Sequence, residues 1–351
     1  MSSKRFVLQT LCLTLVLLLV LAGITVYVDP LFHYHAPQED IAYLISNQRY
    51  QNDGILKHFS YDAIITGTSM TENFKTSEFD ELFGTQSIKV PFSGSYLRET
   101  AERLNQAFAH CSDIKYVVRS LDYYALVADK DAISDFSYPE YLYDDIWLND
   151  VQYLLNKTIF CDYTLETLNR TSRGDVMTSF DNYARWSDWF FYGKQEVLSK
   201  TTRPMKSDQV AVLTNSQILQ IKENLEQNII SLAREHPETE FFLFFPPYSI
   251  VCWDHWNQQG NIQARIDAYQ YAAEILMDYD NIHLFSFNTY FDMICDLDNY
   301  KDLEHYGDWV NSKILFWMKN GEYELTEQNY QEHFEEMRAF HSSYDYDSLY
   351  G

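Results

Sequence analysis

Residues 62–70 are DAIITGTSM, a short apolar run that ends in a glycine and is followed by two hydroxyl residues. Four more apolar runs follow and alternate with longer stretches of helical periodicity: SIKVPFS (87–93), IKYVVRSLD (114–122), TEFFLFFPP (239–247) and IHLFSF (282–287). This alternation is typical of βαβ units and a largely parallel sheet. The sequence therefore predicts a three-layer α/β/α domain with a mainly parallel sheet of five strands.

Helical periodicity between the runs is clearest in three segments. Apolar residues recur every three or four positions from Leu97 to Cys111, from the candidate N-cap Asn215 to Pro237, and from Ile262 to Met277. The stretch 124–213, rich in Tyr, Trp and Asp, shows no clean period and is interpreted as an insertion. The acidic C-terminal tail, 321–351, is expected to form one more amphipathic helix and to fray at SSYDYDSLYG.

A transmembrane helix is predicted near the N-terminus. Residues 6–28 carry no charged side chain, and a helix of that length crosses a hydrocarbon core about 30 Å thick. A cleaved signal peptide is the alternative, but its apolar region is usually about 7–15 residues long and only Ala22-Gly23 resembles a cleavage site. Lys4 and Arg5 precede the helix, so the positive-inside rule predicts a cytoplasmic N-terminus (1–5). A juxtamembrane segment (29–57) and an extracytoplasmic domain (58–320) would follow.

Composition excludes one class of partner. With 26 Lys+Arg against 51 Asp+Glu, the formal net charge is −25, and a nucleic-acid backbone would be repelled. An anionic polymer could bind only if the cleft were locally basic or if cations intervened. Arg98 and Arg119 lie near predicted strand ends and could form such a patch, with ordinary ion pairs as the alternative.

Four cysteines outside the span, Cys111, Cys161, Cys252 and Cys295, are compatible with one or two disulfides or with free thiols.

Candidate catalytic residues follow the first and last predicted strands, where parallel α/β sheets form their sites. Ser69 follows Gly67, and a serine at the start of a helix can present its hydroxyl beside free backbone N–H groups, or can simply be an N-cap. Asp302 and His305 are three residues apart, so the carboxylate can orient the imidazole and leave Nε2 to accept a proton from a serine. Asp122, after the third strand, is predicted either to line the cleft or to cap a turn.

No cofactor and no metal site are predicted. His33 and His35 supply two of the ligands that a metal would need, but neither HExxH nor paired CxxC motifs occur. Structural histidines are therefore the default interpretation. A glycine-rich phosphate loop is also missing from the sequence.

GTS after the first strand, the glycine of PFSGS (Gly94) and D-x-x-H near the end of the fold resemble the first, second and fifth blocks of SGNH (GDSL-type) hydrolases. The resemblance implies a flavodoxin-like fold, with Ser69 as nucleophile, His305 as general base and Asp302 as the orienting carboxylate. The N–H groups of Ser69 and Gly94 would bind the oxyanion. The third strand ends in SLDYY rather than the family's Gly-x-Asn-Asp block, so Asn73 becomes the candidate third donor, although it could equally be a surface residue.

The anchor and the run GTSMTENF are similar to membrane-tethered SGNH proteins that work with MBOAT-type acyltransferases in alginate acetylation or teichoic-acid D-alanylation. This resemblance implies a serine esterase or O-acyltransferase acting on acyl groups of a cell-surface glycan or related polymer. A multipass MBOAT-type acyltransferase would be its partner. The alternative is a non-catalytic protein that uses the same fold to bind polymer or to dock onto the acyltransferase.

Overall fold

The computed structural model describes residues 3–136, 138–144 and 146–351. The chain divides into two compact units. The first comprises Met1–Ser60 and Phe136–Tyr183, and the second comprises Tyr61–Asp135 and Ala184–Gly351. Two of the three boundaries fall inside the segment 124–213 that was interpreted from the sequence as an insertion, because 136–183 belongs to the first unit and the residues on either side of it belong to the second.

The second unit is built on one mixed, mostly parallel sheet. Its strand order is β2-β1-β3-β4-β5-β6, in which the first five strands run parallel and β6 pairs antiparallel with β5. Central strand residues such as Val117, Val118, Leu243 and Phe244 are fully buried, as expected for a sheet covered on both faces. The strands are β1 Ala63–Gly67, β2 Ser87–Pro91, β3 Tyr116–Ser120, β4 Glu240–Phe245, β5 Ile282–Ser286 and β6 Glu324–Leu325.

The predicted α/β class and mostly parallel sheet are confirmed, but the predicted number of strands is wrong. All five apolar runs form strands, and the sheet gains a sixth that the sequence did not indicate. This strand is only two residues long, Glu324–Leu325, and pairs with Leu284 and Phe285. A two-residue strand has no alternation to detect, and its pairing depends on tertiary contact alone.

The predicted helices are also present, with small differences at their ends. Thr214 rather than Asn215 is the N-cap of the helix at 215, and its side chain accepts the Gln217 N–H. A π-helical stretch, Glu226–Ile230, interrupts that helix before it ends at Glu235. The α-helices are α1 Ser3–Val28, α2 Gln48–His58, α3 Thr76–Phe83, α4 Leu97–His110, α5 Tyr123–Leu126, α6 Val151–Leu154, α7 Leu165–Arg173, α8 Lys194–Ser199, α9 Asn215–Leu225, α10 Ser231–Glu235, α11 Ile250–Gln258, α12 Ile262–Leu276, α13 Phe291–Cys295, α14 Asp308–Asn320 and α15 Tyr330–Ser343.

The strand order places a switch point between β1 and β3. The chain moves from β1 to β2 in one direction and then crosses back to β3, β4 and β5 in the other. Right-handed crossovers therefore send the helices to opposite faces, and α3 accordingly packs with α14, whereas α4 contacts α10 and α9 contacts α12. In such sheets, the crevice at the carboxyl ends of the strands beside the switch point is the expected site.

The first unit contains the apolar helix α1, which is the described helix long and apolar enough to cross a membrane. Its side chains are exposed from Ser3 to Val20, whereas Thr25 and Val28 near its end are buried. A small core of Leu31, Leu142, Tyr153 and Ile159 lies next to the end of α1. Helix α6 and the π-helical turn Ile159–Thr164 both pack against α1.

The C-terminal segment does not fray as the sequence suggested. After α15, residues Tyr346–Leu349 form a 3-10 turn in which Tyr346 and Leu349 are buried. Arg203 pairs with Asp347 at 2.7 Å, and the Tyr350 hydroxyl donates to Asp254 at 2.8 Å. These tertiary contacts hold in place a polar C-terminal segment that has no helical pattern of its own.

All five cysteines are free thiols in the structure, and Cys161 is exposed.

Candidate active site

The chain turns sharply after β1, and this turn presents Ser69. Gly67 has φ of +133°, and a Cβ there would lie 2.5 Å from Ser120 Oγ, so only glycine fits without displacement. Thr68 is the N-cap of a single 3-10 turn, Ser69–Thr71, and its hydroxyl accepts the Met70 N–H at 3.3 Å. Ser69 is therefore the first residue of the turn and not its cap.

A closed loop presents Asp302 and His305. Tyr300 and Tyr306 form an antiparallel bridge, and the Lys301 N–H donates to His305 O at 3.0 Å. Ser249, the N-cap of α11 four residues after β4, donates its hydroxyl to Leu303 O at 2.7 Å and so ties the loop to the segment that follows β4. The loop therefore holds its two candidate residues beside the carboxyl ends of the strands.

Ser69, His305 and Asp302 form a hydrogen-bonded chain. Ser69 Oγ lies 2.8 Å from His305 Nε2, and His305 Nδ1 lies 3.0 Å from both carboxylate oxygens of Asp302. The Asp302 carboxylate also accepts the backbone N–H groups of Glu304 and His305 at 3.0 and 2.8 Å. This is the geometry in which a carboxylate orients an imidazole whose free nitrogen accepts the proton of a serine.

The pKa values of the histidine and the aspartate diverge. Burial opposes the charged form of each, but the Asp302 hydrogen bond and charge raise the pKa of His305 above its usual 6.5. The same hydrogen bonds, from the His305 ring and two backbone N–H groups, lower the pKa of Asp302 to about 2 despite its burial. Asp302 is therefore ionised at neutral pH and favours an imidazolium at His305.

Asp122 lies beneath the turn that carries Ser69. It is only 3% exposed, and its carboxylate accepts hydroxyl hydrogen bonds from Thr68 (2.7 Å), Ser120 (2.9 Å) and Tyr248 (2.8 Å). Asp122 stands at the N-cap position of α5 but makes no capping hydrogen bond with its side chain. Burial raises its pKa, although the three hydroxyl donors work against that rise. Asp122 thus braces the ends of β1, β3 and β4 against one another.

The three groups predicted to bind the oxyanion are the N–H groups of Ser69 and Gly94 and the side chain of Asn73. Among the described residues, the backbone N–H groups of Ser69 and Gly94 donate no hydrogen bond. Gly94 follows β2, which neighbours β1, and has φ of +69° in the turn closed by Ser95 N–H to Phe92 O. Asn73 is buried rather than on the surface. Its Oδ1 accepts the Trp186 and Ser187 N–H groups at 3.0 and 3.2 Å, which leaves Nδ2 as its donor.

The sequence did not point to two residues, Trp186 and Lys301, that lie against the Ser69–His305–Asp302 group. The edge of the Trp186 ring packs against the His305 ring, with centroids 5.6 Å apart and planes at 85°. The Lys301 ammonium lies 3.8 Å from the centre of the Trp186 ring and 4.0 Å from that of Phe190. Burial lowers the pKa of Lys301. Lys301 directly precedes Asp302 and could have been noticed there, whereas nothing in the aperiodic stretch around Trp186 singled it out.

An ion-pair cluster fixes the segment that carries Trp186. The Asp308 carboxylate contacts Arg185 at 2.8 Å and Lys75 at 3.3 Å, and it accepts the Ser187 hydroxyl at 3.1 Å. These two cations lower the pKa of Asp308 although burial opposes the change. Asp308 is the first residue of α14, so these contacts fix Arg185, Trp186 and Ser187 to the start of that helix. Trp186 is thereby held against His305.

The two arginines considered for a basic patch, Arg98 and Arg119, make other contacts. Arg119 is 1% exposed and donates to Asn228 O, Leu97 O and the Thr100 hydroxyl, and burial lowers its pKa to about 9. Arg98 pairs with Glu102 at 2.8 Å and Asp131 at 3.5 Å. Arg119 is thus a buried tie between helices, and Arg98 forms the ordinary ion pairs that were the alternative.

The two histidines considered as metal ligands are used structurally. His33 Nε2 lies 3.2 Å from Asp150, and the His35 ring bonds to the carbonyls of Ala36 and Val26. Within 3–136, 138–144 and 146–351, no group of three or more His, Cys, Asp or Glu side chains is placed to hold a metal ion.

No protein-family model and no curated protein matches this chain. It is similar to a solved structure from Streptococcus pneumonia that was provisionally named a platelet activating factor. The two share 13% sequence identity with a TM-score of 0.39, over 78% of this chain and 90% of the other. A likeness this distant carries no inference about activity, so the function is argued from the geometry of the site.

Proposed function

We propose that the protein is a membrane-anchored, extracytoplasmic serine esterase or O-acyltransferase of the SGNH type, acting on acyl groups of a cell-surface glycan or related polymer. The Ser69–His305–Asp302 chain is the observation that carries this proposal. Three residues from two distant segments meet at hydrogen-bonding distance at the carboxyl edge of a parallel sheet. Serine, histidine and aspartate in this arrangement perform acyl transfer on several unrelated folds.

In the first half of the reaction, Ser69 Oγ attacks the acyl carbonyl of the substrate. His305 Nε2 accepts the hydroxyl proton, and ionised Asp302 stabilises the imidazolium that forms. The negative charge that develops on the carbonyl oxygen is stabilised by the N–H groups of Ser69 and Gly94 and by Asn73 Nδ2. The tetrahedral intermediate then collapses, the imidazolium protonates the departing alcohol, and an acyl-Ser69 ester remains.

In the second half, an acceptor hydroxyl attacks the acyl-Ser69 carbonyl. His305 accepts the acceptor's proton and returns it to Ser69 Oγ as the ester breaks. Water as the acceptor gives hydrolysis, and a sugar hydroxyl gives transfer of the acyl group. Both outcomes use the same residues in the same roles.

The envelope location is supported by α1, whose apolar side chains are exposed over most of its length. A polymeric glycan substrate is supported by exposed aromatic residues in the segment that carries Trp186. Trp189 and Phe191 are 78% and 79% exposed and follow Trp186 closely in sequence. Exposed aromatic rings are suited to contact with sugar faces. A multipass MBOAT-type acyltransferase would supply acyl groups to such an anchored enzyme.

Turnover of a small acyl ester, such as 4-nitrophenyl acetate, by the full chain in detergent tests the proposal. Ser69→Ala and His305→Ala are expected to lower kcat by a factor on the order of 10³ or more, because nucleophile and base act as a unit. Ser112→Ala is the control, since Ser112 is an exposed serine of the same unit whose hydroxyl donates to the neighbouring Asp113 carboxylate. Parent-like turnover by Ser69→Ala would refute the catalytic role.

A non-catalytic binding role is the second candidate, because the strand end that carries an asparagine in secreted SGNH esterases holds Leu121-Asp122 here. Asp122 is a buried brace and supplies no N–H donor with its side chain. If Asn73 does not replace the missing donor, Ser69 would be present without adequate oxyanion stabilisation. Absence of turnover in the parent chain, together with intact polymer binding, would favour this second function.

A further inference from the structure

A cluster of exposed apolar side chains lies in the first unit, far in sequence from the candidate active-site residues. Ile146, Trp147 and Leu148 are consecutive and 56–76% exposed. Val151 and Leu155 follow four residues apart, hence on one helical face, and are 53% and 43% exposed. We call residues 146–155 the interface segment. So many large apolar side chains exposed in so short a stretch are unusual for a surface that faces only water.

The interface segment is tied to the point where α1 ends. Asp29 directly follows α1, and its carboxylate accepts the Tyr153 hydroxyl at 2.6 Å. Asp150 accepts the Tyr34 hydroxyl at 3.0 Å and lies 3.2 Å from His33 Nε2. Three side-chain hydrogen bonds thus connect the segment to the first residues after α1. The segment cannot move away from the end of that helix without breaking these three contacts, of which Tyr153–Asp29 is buried.

The length of α1 sets the depth at which it ends. A hydrocarbon core about 30 Å thick takes about 20 helical residues. Counted from Phe6, the first residue after Lys4 and Arg5, such a span reaches Thr25. Val28 and Asp29, three and four residues further on, would therefore stand just outside the hydrocarbon, at the level of the headgroups. Tyr27, 65% exposed, is at the level where aromatic side chains are enriched in membrane proteins.

We propose that the interface segment lies in the outer headgroup region of the bilayer, with Trp147, Leu148 and the Val151–Leu155 face in contact with lipid. The inward side chains of the segment, Tyr153 among them, remain packed in the small core beside α1. The inference rests on the membrane anchor that forms part of the proposed function. It adds a second, non-spanning contact that would hold the first unit against the membrane surface rather than leave it on a free stalk.

Tryptophan fluorescence of the full chain in lipid vesicles tests this contact. The difference between the emission of the parent and that of Trp147→Phe gives the emission of Trp147 alone. Vesicles with lipids brominated near the headgroup are expected to quench this difference emission, and aqueous iodide is expected to leave it nearly unchanged. Trp253→Phe is the control: Trp253 is fully buried, so neither quencher should affect its difference emission.

Two measurements on the same vesicles separate the possible failures. If the chain floats with vesicles after carbonate washing but iodide and not bromolipid quenches Trp147, the interface segment faces water and the inference is refuted while the anchor stands. If the chain does not float with the vesicles, both the anchor and the inference fail. Quenching of Trp147 by neither reagent would indicate that another protein surface, a second copy for example, covers it, and would also refute lipid contact.

Discussion

The Ser69 hydroxyl oxygen lies 2.8 Å from His305 Nε2, although the two residues are 236 positions apart in sequence. The contact forms because β1 and β5 end at the same edge of the parallel sheet. Ser69 follows β1, and His305 lies in the loop that follows β5. His305 can accept the Ser69 proton only while its imidazole is neutral. The groups that set the pKa of His305 therefore set the pH range in which the proposed reaction runs.

Asp302→Asn is expected to lower kcat by a factor on the order of 10³ to 10⁴, because the imidazole loses the carboxylate that orients it and stabilises its charge. In the parent, kcat/KM should fall as pH decreases through the pKa of His305, which lies above 6.5 because of Asp302. Without that carboxylate the pKa of His305 falls, so the acidic limb of the residual activity should move to lower pH. A pH profile of kcat/KM for both proteins measures this shift, and an acidic limb at the parent's position would contradict it.

Lys301→Met is expected to move the same limb in the opposite direction. The Lys301 ammonium lies over the Trp186 ring, which packs against His305, and its positive charge lowers the pKa of His305. Removal of that charge raises the pKa, so a higher pH is needed for half-maximal kcat/KM. The two variants thus form a matched pair measured by one pH titration, and shifts of the same sign would show that the charges around His305 are wrongly assigned.

Asp122→Ala is expected to lower the free energy of unfolding by about 2 to 4 kcal/mol, because three buried hydroxyls lose their common acceptor. Tyr248→Phe removes only one of these bonds and should cost less, about 1 to 2 kcal/mol. Urea denaturation of the two variants and the parent provides the measurement. Equal stability of all three would show that Asp122 does not brace the strand ends.

Gly67→Ala is expected to cost about 2 to 4 kcal/mol of stability, since it combines an unfavourable φ of +133° with a Cβ 2.5 Å from Ser120 Oγ. Gly84→Ala is the matched control. Gly84 also has positive φ, +70°, but no atom lies within 4 Å of its added Cβ, so only about 1 kcal/mol should be lost. Thermal unfolding compares the two, and a cost at Gly84 equal to that at Gly67 would mean that steric contact with Ser120 is unimportant.

The sequence was sufficient for those parts of the fold that depend on local pattern. Every strand with a run of buried apolar residues was located, because burial on both faces selects such runs, as in FFLFF at 241–245. The two-residue strand Glu324–Leu325 and the ordered turn Tyr346–Leu349 were missed. Both depend on contacts with distant residues, such as Leu284 and Arg203, that no local periodicity records.

The residues of the candidate site also fall into those that could be predicted from the sequence and those that could not. Ser69, Asp302 and His305 could be selected because strand ends share one edge of a parallel sheet and because D-x-x-H spacing allows the pairing that the structure contains. The surroundings could not be derived. Trp186 lies beside His305 in a segment held by the hydrogen bonds of Asn73 and the Asp308 ion pairs, and Arg119 bonds to residues of the helical layer.

Labelling of the full chain with a fluorophosphonate probe, followed by peptide mapping, tests the central claim most directly. The probe reacts with a serine only where a base and oxyanion donors activate it, and it reports activation without knowledge of the natural substrate. We expect one covalent adduct on Ser69, lost in His305→Ala and retained in the Ser112→Ala control. An unlabelled parent chain, or an adduct on a serine other than Ser69, would contradict the account.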